Sequence, residues 1–205
     1  MELNVSEIFY SLQGEGGRAG EPSIFIRLQG CSAKHACYAS GVRCDTEFES
    51  GRSTTVERLL ERINNIGNGC RWIVWTGGEP CDQLTAEMVL FFAQNGYKQA
   101  IETSGLKTPP SGLDYITVSP KVADHVMQKS LLLREDGTHC DEMRYVRHSG
   151  QEIPVTEIKA HKYFLSPHFD GINKNNENIN HCISLCLINP TWNLSVQLHK
   201  IWNVL

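Results

Sequence analysis

The chain has 205 residues, of which 40% are hydrophobic and 20% charged, and its formal net charge is −4. This length suits one domain and falls short of the ~250 residues typical of a closed eight-unit β/α barrel, and the composition excludes global disorder. The negative charge disfavours nucleic acid as a partner, and no stretch approaches the ~20 apolar residues of a membrane span. No secretory leader is recognisable, so we expect a cytoplasmic protein that does not bind membranes.

The eight cysteines are unevenly spaced. Cys31, Cys37 and Cys44 fall within fourteen residues, and the other five are spread along the chain. In a chain without a secretory leader, cysteines are more often thiols, metal ligands or redox groups than structural disulfides. Cys182 and Cys186 lie on an apolar helical stripe, where we expect them to pack in the core. We therefore expect the functional site to include the three clustered cysteines.

Strand and helix patterns alternate along the chain. Strands are predicted over residues 22–29, 71–76, 98–103, 114–119, 141–148, 161–165 and 193–199. Helices are predicted after a capping box of Thr54 and Glu57 up to Gly67, over 84–94, and over 179–189. Residues 173–180 are rich in Asn and are predicted as a loop or a frayed helix start.

This order of elements predicts an α/β fold with a parallel sheet. About six strand–helix units predict an incomplete, open β/α barrel rather than a closed one. We expect a single domain over residues 1–205, with a short N-terminal loop and a C-terminal strand that closes over the site. In such a barrel the functional loops follow the carboxyl ends of the strands.

The first predicted strand runs directly into Cys31, which places the three cysteines on a functional loop. Three thiolates on one flexible loop suit a metal ion or cluster. A structural zinc site needs four ligands, whereas three cysteines suit a [4Fe-4S] cluster with one iron left open. His35 is a possible fourth zinc ligand, so a zinc site remains the alternative.

Seven motifs, in this order, resemble those of the 7-carboxy-7-deazaguanine synthase family: FYSLQGEG, PSIFIRLQGC, CDT, TGGEP, IETSG, VSPKV and SVQLHK. This family consists of radical S-adenosylmethionine (SAM) lyases of queuosine biosynthesis, a tRNA modification pathway. The likeness covers residues 6–121, is thin over 123–180 and returns near residue 193. TGGEP is shared across radical SAM enzymes, whereas LQGEG together with a terminal QxHK is more specific.

The cysteine spacing departs from the CxxxCxxC pattern that is usual in radical SAM enzymes, because five and six residues separate the three cysteines. Cys31 and Cys44 match the family's GC and CDT motifs and carry over as cluster ligands. Cys37 is assigned as the middle ligand by elimination, since no other thiol lies between them. Cys81, beside the TGGEP loop, is the alternative.

The resemblance implies three cofactors: a [4Fe-4S] cluster, SAM and Mg²⁺, the last held by Thr46. The residues implied in SAM binding lie on three loops: Arg43, Cys44, Asp45, Gly77, Gly78, Glu79, Ser119, Pro120 and Lys121. Read without the family, each of these is an ordinary loop or strand-end turn residue.

The resemblance implies 6-carboxy-5,6,7,8-tetrahydropterin as the substrate. The residues implied in its binding are Leu12, Gln13, Gly14, Glu15, Arg27, Thr76, His199 and Leu205. Arg27 would hold the substrate carboxylate in two parallel hydrogen bonds, unless it is an exposed arginine on an edge strand. Gln197 and His199 would face the substrate from one side of the last strand. The α-carboxylate of Leu205 would accept hydrogen bonds from the amino-pyrimidine edge, unless the apolar tail is buried in a dimer contact.

In the reaction that the resemblance implies, a 5′-deoxyadenosyl radical abstracts hydrogen from the pterin, the ring contracts, ammonia leaves and SAM is recovered. It also implies a homodimer and a flavodoxin or ferredoxin as electron donor. Two other functions remain open: a radical SAM activase of a glycyl-radical enzyme, which the LQGEG and QLHK segments disfavour, and a non-enzymatic zinc-binding interaction module.

Overall fold

The computed structural model describes residues 1–39, 44, 46–169 and 176–204. Its strands are β1 (Glu2–Leu12), β2 (Pro22–Leu28), β3 (Arg52–Thr55), β4 (Trp72–Gly77), β5 (Lys98–Thr103), β6 (Tyr115–Val118), β7 (Cys140–Arg147), β8 (Ala160–Pro167) and β9 (Trp192–Leu194). Its α-helices are α1 (Lys34–Ala39), α2 (Val56–Ile66), α3 (Ala86–Gln94), α4 (Asp124–Met127), α5 (Asn176–Ile188) and α6 (Leu198–Trp202). Two short 3₁₀ turns cover Gly16–Arg18 and Pro80–Asp82.

All nine strands of the described chain belong to one sheet, in the order β3-β1-β2-β4-β5-β6-β7-β8-β9. The strands from β2 through β4 to β9 are parallel, while β1 is antiparallel to β2 and β3 is antiparallel to β1. Within this ladder β3 and β9 are at opposite ends, so the sheet is open. The prediction of an α/β fold with an incomplete barrel is confirmed.

The two faces of the sheet are covered differently. On the outer face, Ile24, Ile26 and Leu28 of β2 pack in one apolar cluster with Ile63 of α2 and Phe92 of α3. A second outer cluster, under α5, includes Met143, Leu165 and Cys182, which confirms the core position predicted for Cys182. The inner face has only a small apolar cluster at its base: Phe9, Phe25, Val74 and Ala100. The inner face is thus left for polar side chains.

Helix α2 begins one residue later than its sequence signal. Thr55 is the N-cap, and its side chain accepts a hydrogen bond from the amide of Arg58 over 3.3 Å. Thr54, predicted as the cap, instead pairs with Leu3 in the ladder between β3 and β1. The predicted capping box is wrong by one position because pairing with β1 holds Thr54 in extended conformation.

The prediction of a short N-terminal loop is wrong, because residues 2–12 form the longest strand of the sheet. Leu3 and Val5 are buried, then the register shifts between Val5 and Glu7, after which Ile8 and Phe9 are both buried. This β-bulge breaks the two-residue alternation by which a strand is recognised in a sequence.

The C-terminal strand is also shorter than predicted, and a helix replaces its second half. After β9 the amide of Ser195 makes a last hydrogen bond to Leu165 O at 2.9 Å, and the amide of Leu198 then bonds to Gly14 O at 2.9 Å. Gln197 precedes α6 and His199 lies within it, so the two residues do not share a strand face. A contact with the loop after β1 thus turns the chain out of the sheet.

Helix α5 begins at Asn176, three residues before the predicted apolar stripe, which agrees with a helix start rather than a loop over 176–180. No helix in the described ranges combines the length and the apolar character that crossing a bilayer requires.

Candidate active site

The candidate site lies at the edge of the sheet where the parallel strands end. Because parallel strands present their carboxyl ends at the same edge, the loops after β2, β4, β5 and β6 meet there. These are the loops that carry the first cysteine, the TGGEP motif, the IETSG motif and the VSPKV motif.

The TGGEP loop is bonded to the end of β2. The amide of Gly78 donates to Leu28 O at 3.1 Å, and the amide of Glu79 donates to Gly30 O at 3.0 Å. Gly77 has φ +114°, and a Cβ on Gly78 would collide with Gly30 O and come within 3.0 Å of the Cys31 Cβ. Two glycines are therefore required here, and they bring this loop against the first cysteine.

The three clustered cysteines share one neighbourhood. Cys31 and Cys37 are half-buried and Cys44 is exposed, and all three are free thiols. Burial raises the pKa of Cys31, and negative charge on Glu79, Cys37 and Cys44 raises it further. Burial likewise raises the pKa of Cys37, while Lys121 lowers it and Cys44 raises it. The charges of Glu79 and Lys121 therefore act on these thiols.

The three thiols are of the chemical type that binds an iron–sulfur cluster. Soft thiolates are the ligands of such clusters, and three of them leave one iron for another ligand. In a multi-iron cluster each cysteine binds a different iron, so the three sulfur atoms need not converge on one point. In the described ranges no three His, Cys, Asp or Glu side chains converge to hold a single metal ion. His35, the possible fourth zinc ligand, is exposed on α1.

Cys81 is less suited to ligate the cluster than Cys37. Its Sγ lies 3.5 Å from Thr103 Oγ1, and its side chain packs against the outer apolar cluster. Burial raises the pKa of Cys81 to about 12. Cys37 as the middle ligand stays a prediction, and the structure places it near the other two cysteines.

Glu79 is almost fully buried and its carboxylate is surrounded by protein donors. Oε1 accepts from the amide of Cys81 (3.1 Å) and from Thr103 Oγ1 (2.6 Å). Oε2 accepts from the amide of Ser104 at 2.9 Å and also from its hydroxyl. Glu79 therefore ties the TGGEP loop to the end of β5, and direct contact between Glu79 and SAM stays a prediction.

The remaining residues implied in SAM and metal binding lie on two loops. The amide of Ser119 donates to Thr103 O at 2.8 Å, and Lys121 Nζ donates to Ser119 Oγ at 3.1 Å, with Pro120 between them. Thr46 is half-buried two residues after Cys44. The predictions for Arg43, Asp45 and Leu205 lie outside the described residues.

A polar network covers the inner face above the apolar base. Gln13 Nε2 donates to Glu102 Oε1 at 3.1 Å, and Gln13 Oε1 accepts from the amide of Glu15 at 3.1 Å. Thr76 Oγ1 donates to Glu102 Oε2 at 3.4 Å. Thr76 is also in register with Arg27 on β2, so these side chains lie on one face of the sheet.

Arg27 lies inside the sheet, so the edge-strand alternative is wrong: β1 and β4 flank β2. Its Nε is 3.0 Å from Glu7 Oε2, and its guanidinium lies 5.2 Å from the centre of the Phe9 ring. The angle to Glu7 does not complete a hydrogen bond, so Arg27 Nε is a buried donor without a hydrogen-bond partner. The charge of Glu7 nevertheless lies close enough to pair with this guanidinium.

The loop after β1 and helix α6 are in direct contact. Gly14 packs so closely against His199 that a Cβ on Gly14 would overlap His199 Nδ1. Leu12 ends β1 and is half-buried beside this loop. The structure thus brings His199 to the predicted substrate loop, although through a helix rather than a strand.

Two functional candidates were missed in the sequence: Glu142 and Arg144 on β7. Arg144 Nη1 lies 3.0 Å from Glu15 Oε2 and 3.6 Å from Glu102 Oε1, while Nη2 and Nε donate to Glu142 Oε1 at 2.8 and 2.9 Å. Burial opposes the positive charge of Arg144, but the three carboxylates outweigh it and raise the pKa of Arg144. Both residues fall in the range where the family likeness is thin, and only their two-residue spacing signals a shared face.

A small cleft opens over this network. It is lined mainly by charged and amide side chains: Gln13, Glu15, Arg18, Glu102, Glu142 and Arg144. A ligand that offers several hydrogen-bond donors fits such a lining, because three carboxylates face only two guanidinium groups.

Curated proteins similar to this chain match it over nearly its whole length. No family model matches. The chain is 33% identical to the 7-carboxy-7-deazaguanine synthase of Caulobacter vibrioides, covering 98% of both chains. It is 35% identical to the synthase of that name from Haemophilus influenzae, covering 97% of this chain and 92% of the other.

Among solved structures, the crystal structure of QueE from Escherichia coli matches with a TM-score of 0.70 and 27% identity, covering 97% of this chain and 95% of that one. These similarities also span residues 123–180, so the likeness extends beyond the short motifs.

Proposed function

From the premise that this chain belongs to the 7-carboxy-7-deazaguanine synthase family, we propose that it is a radical SAM lyase that converts 6-carboxy-5,6,7,8-tetrahydropterin into 7-carboxy-7-deazaguanine in queuosine biosynthesis, with loss of ammonia. One observation supports the substrate assignment: Arg27, Thr76 and Glu102 each stand one residue before the carboxyl end of their strand, at the edge of the sheet from which the cysteine loop leaves β2. A cofactor at the cysteines and a donor-rich substrate in the cleft would thus be neighbours.

Cys31, Cys37 and Cys44 would hold the [4Fe-4S] cluster. When bound with SAM, the cluster supplies the electron that yields a 5′-deoxyadenosyl radical, the species that takes hydrogen from the substrate. Burial raises the pKa of Cys37, and the positive charge of Lys121 opposes part of that increase. This charge favours the thiolate form that metal binding requires.

SAM would lie on the loops that flank the cluster. Gly77 and Gly78 allow the backbone to approach a ligand closely, and Glu79 holds that loop in place. Ser119, Pro120 and Lys121 supply a hydroxyl and a cation from the neighbouring loop. The predicted contacts of Arg43, Cys44 and Asp45 with SAM complete the proposed site.

The pterin would lie over the inner face, with its two ends recognised by opposite charges. Its carboxylate would accept hydrogen bonds from the guanidinium of Arg27, a side chain that is 29% exposed near the end of β2. Its amino-pyrimidine edge donates hydrogen bonds, which suits the acceptors of Gln13, Glu15 and Glu102. The other proposed contacts flank these groups: Leu12, Gly14, Thr76, His199 and Leu205.

Several finer features are part of the proposal. Thr46 would bind Mg²⁺ through its hydroxyl, a hard oxygen donor for a hard cation. A flavodoxin or ferredoxin would supply the electron, and the enzyme would act as a homodimer in the cytoplasm, with neither nucleic acid nor a membrane as a partner.

Anaerobic turnover tests the proposal. The reconstituted protein is mixed with 6-carboxytetrahydropterin, SAM, Mg²⁺ and dithionite, and the products are separated by liquid chromatography with mass detection. We expect 7-carboxy-7-deazaguanine and ammonia in equal amounts, with SAM conserved. A colourless protein with stoichiometric zinc would support the interaction module instead. Cleavage of SAM without conversion of the pterin would support the activase.

A further inference from the structure

Arg144 connects three carboxylates from different parts of the chain. It projects from β7 into the inner face, and only 6% of the residue is exposed. Its partners are Glu15 from the loop after β1, Glu102 from β5, and Glu142 from β7 itself. Glu15 is 129 positions away in the sequence. One guanidinium therefore fixes the relative positions of three elements of the barrel.

The three carboxylates differ in their surroundings. Glu142 is 1% exposed, and besides Arg144 it accepts hydrogen bonds from the amide of Gly17 (2.9 Å) and from Tyr115 Oη (3.0 Å). The side chains of Glu15 and Glu102 are 18% and 25% exposed and border the cleft. Glu142 is thus fixed inside the protein, while Glu15 and Glu102 are the more accessible carboxylates at the cleft.

We infer that Arg144 is a positioning residue that sets Glu15 and Glu102 as a pair of hydrogen-bond acceptors for the amino-pyrimidine edge of the substrate. This inference rests on the proposed function. Nε and Nη2 hold Glu142, which leaves Nη1 to bridge the other two carboxylates. A planar guanidinium can make these contacts at once, whereas a lysine ammonium presents a single charged atom.

The charges of Glu15 and Glu102 explain why this pair needs a cation such as Arg144. Arg144 contacts three carboxylates and carries a single positive charge, so Glu15 and Glu102 still repel each other where they face the cleft. Arg144 offsets part of this repulsion and keeps both groups in place before the ligand arrives. The remaining negative charge favours a ligand edge that donates hydrogen bonds and disfavours one that accepts them.

Two ligands test whether the carboxylate pair selects a hydrogen-bond donor. 6-Carboxypterin carries an amino group at position 2, and 6-carboxylumazine carries an oxygen at the same position. Both are fluorescent, so their dissociation constants can be measured on the SAM-loaded holoenzyme by fluorescence titration. We expect the unmodified protein to bind the pterin at least tenfold more tightly, because the lumazine oxygen would face carboxylate oxygens.

The decisive variant is Arg144→Lys. We expect its affinity for 6-carboxypterin to fall at least tenfold and the pterin-to-lumazine ratio to fall towards one. In turnover KM should rise at least tenfold, while kcat changes less than threefold. Cluster absorbance and SAM affinity should remain unchanged. The matched control is Arg134→Lys, which alters an ion pair of 2.8 Å with Asp141 outside the cleft and should leave both affinities as they were.

If Arg144→Lys does not fold, Glu142→Gln provides the test, because it removes the charge that anchors the guanidinium and should lower the ratio in the same direction. Unchanged pterin affinity and ratio in the variant that folds would overturn the inference. Equal losses of pterin and SAM affinity would also overturn it, since they indicate a general structural role. If the unmodified protein binds no pterin, the proposed function itself fails, and the inference fails with it.

Discussion

The two halves of the candidate site are organised in different ways. The inner-face network is buried and held by side-chain contacts between distant strands, as in the ion pair of Arg144 with Glu15 at 3.0 Å. The cysteine loop, by contrast, presents two half-buried thiols and one exposed thiol. Two of the backbone bonds in its described part are long, from the amide of Lys34 to Cys31 O at 3.4 Å and from the amide of Cys37 to Ala33 O at 3.3 Å.

This difference indicates which half the fold prepares in advance. The sheet positions the charges of the network, so a substrate meets groups that are already oriented. Metal ligands on a loop are commonly brought into their final geometry by the metal itself, and the binding free energy includes that ordering. Substitutions in the two halves should therefore affect different measurements.

The largest effect is expected at the cysteines. Replacing Cys31, Cys37 or Cys44 by Ala should abolish the reconstituted cluster and all turnover, because a cluster that loses one ligand is not held. Iron content and the visible absorption spectrum measure this. Cys186→Ala, on α5 against the outer apolar cluster, is the control and should retain the cluster. Full iron content in Cys37→Ala would contradict the assignment, and loss in Cys81→Ala would identify the replacement.

The next largest effect is expected at Arg27. Arg27→Lys should weaken pterin binding by roughly 1.5–3 kcal/mol, since lysine keeps the charge but loses the planar fork. SAM affinity should change far less. Equal losses for both ligands, measured by titration on the same preparation, would mean that Arg27 has only a structural role.

Glu79→Gln tests the boundary between the two halves. Its carboxylate accepts hydrogen bonds from Cys81, Thr103 and Ser104. In the variant, the side-chain NH₂ group would point at one of these donors and could not accept its hydrogen bond. We expect the variant to lose about 1–3 kcal/mol of unfolding free energy, the cost of an unsatisfied buried group. Urea unfolding measures the loss. Glu61→Gln, exposed on α2, should remain within about 0.5 kcal/mol of the unmodified protein.

The smallest effect is a loss of stability in alkaline solution. Burial raises the pKa of Cys140 to about 12, compared with 9.0 for a free thiol. Between pH 9 and 12 the unfolded chain therefore loses this proton more readily than the folded one, and stability decreases as the pH rises, by at most ~1.4 kcal/mol per pH unit for the thiol. Urea unfolding at pH 7, 9 and 10.5 measures the decline. Cys140→Ala should show a shallower decline, and an identical slope would refute the attribution.

Local patterns in the sequence were sufficient for much of the fold. The alternation in 22–29 predicted β2, and the apolar spacing before Gly67 predicted α2. Both signals are local, since each depends on the period at which side chains return to one face. The motifs likewise located the TGGEP and VSPKV loops, because a loop after a strand stays next to that strand's end.

What the tertiary structure decided depends on contacts between distant residues. The bulge in β1 and the turn into α6 both arise where one segment meets another, at β2 and at Gly14, so no local period reveals them. The same holds for Arg144: an arginine two residues after a glutamate is ordinary in a sequence. It becomes the centre of a charge network only because parallel pairing of the strands brings Glu102 to its side and the loop after β1 brings Glu15.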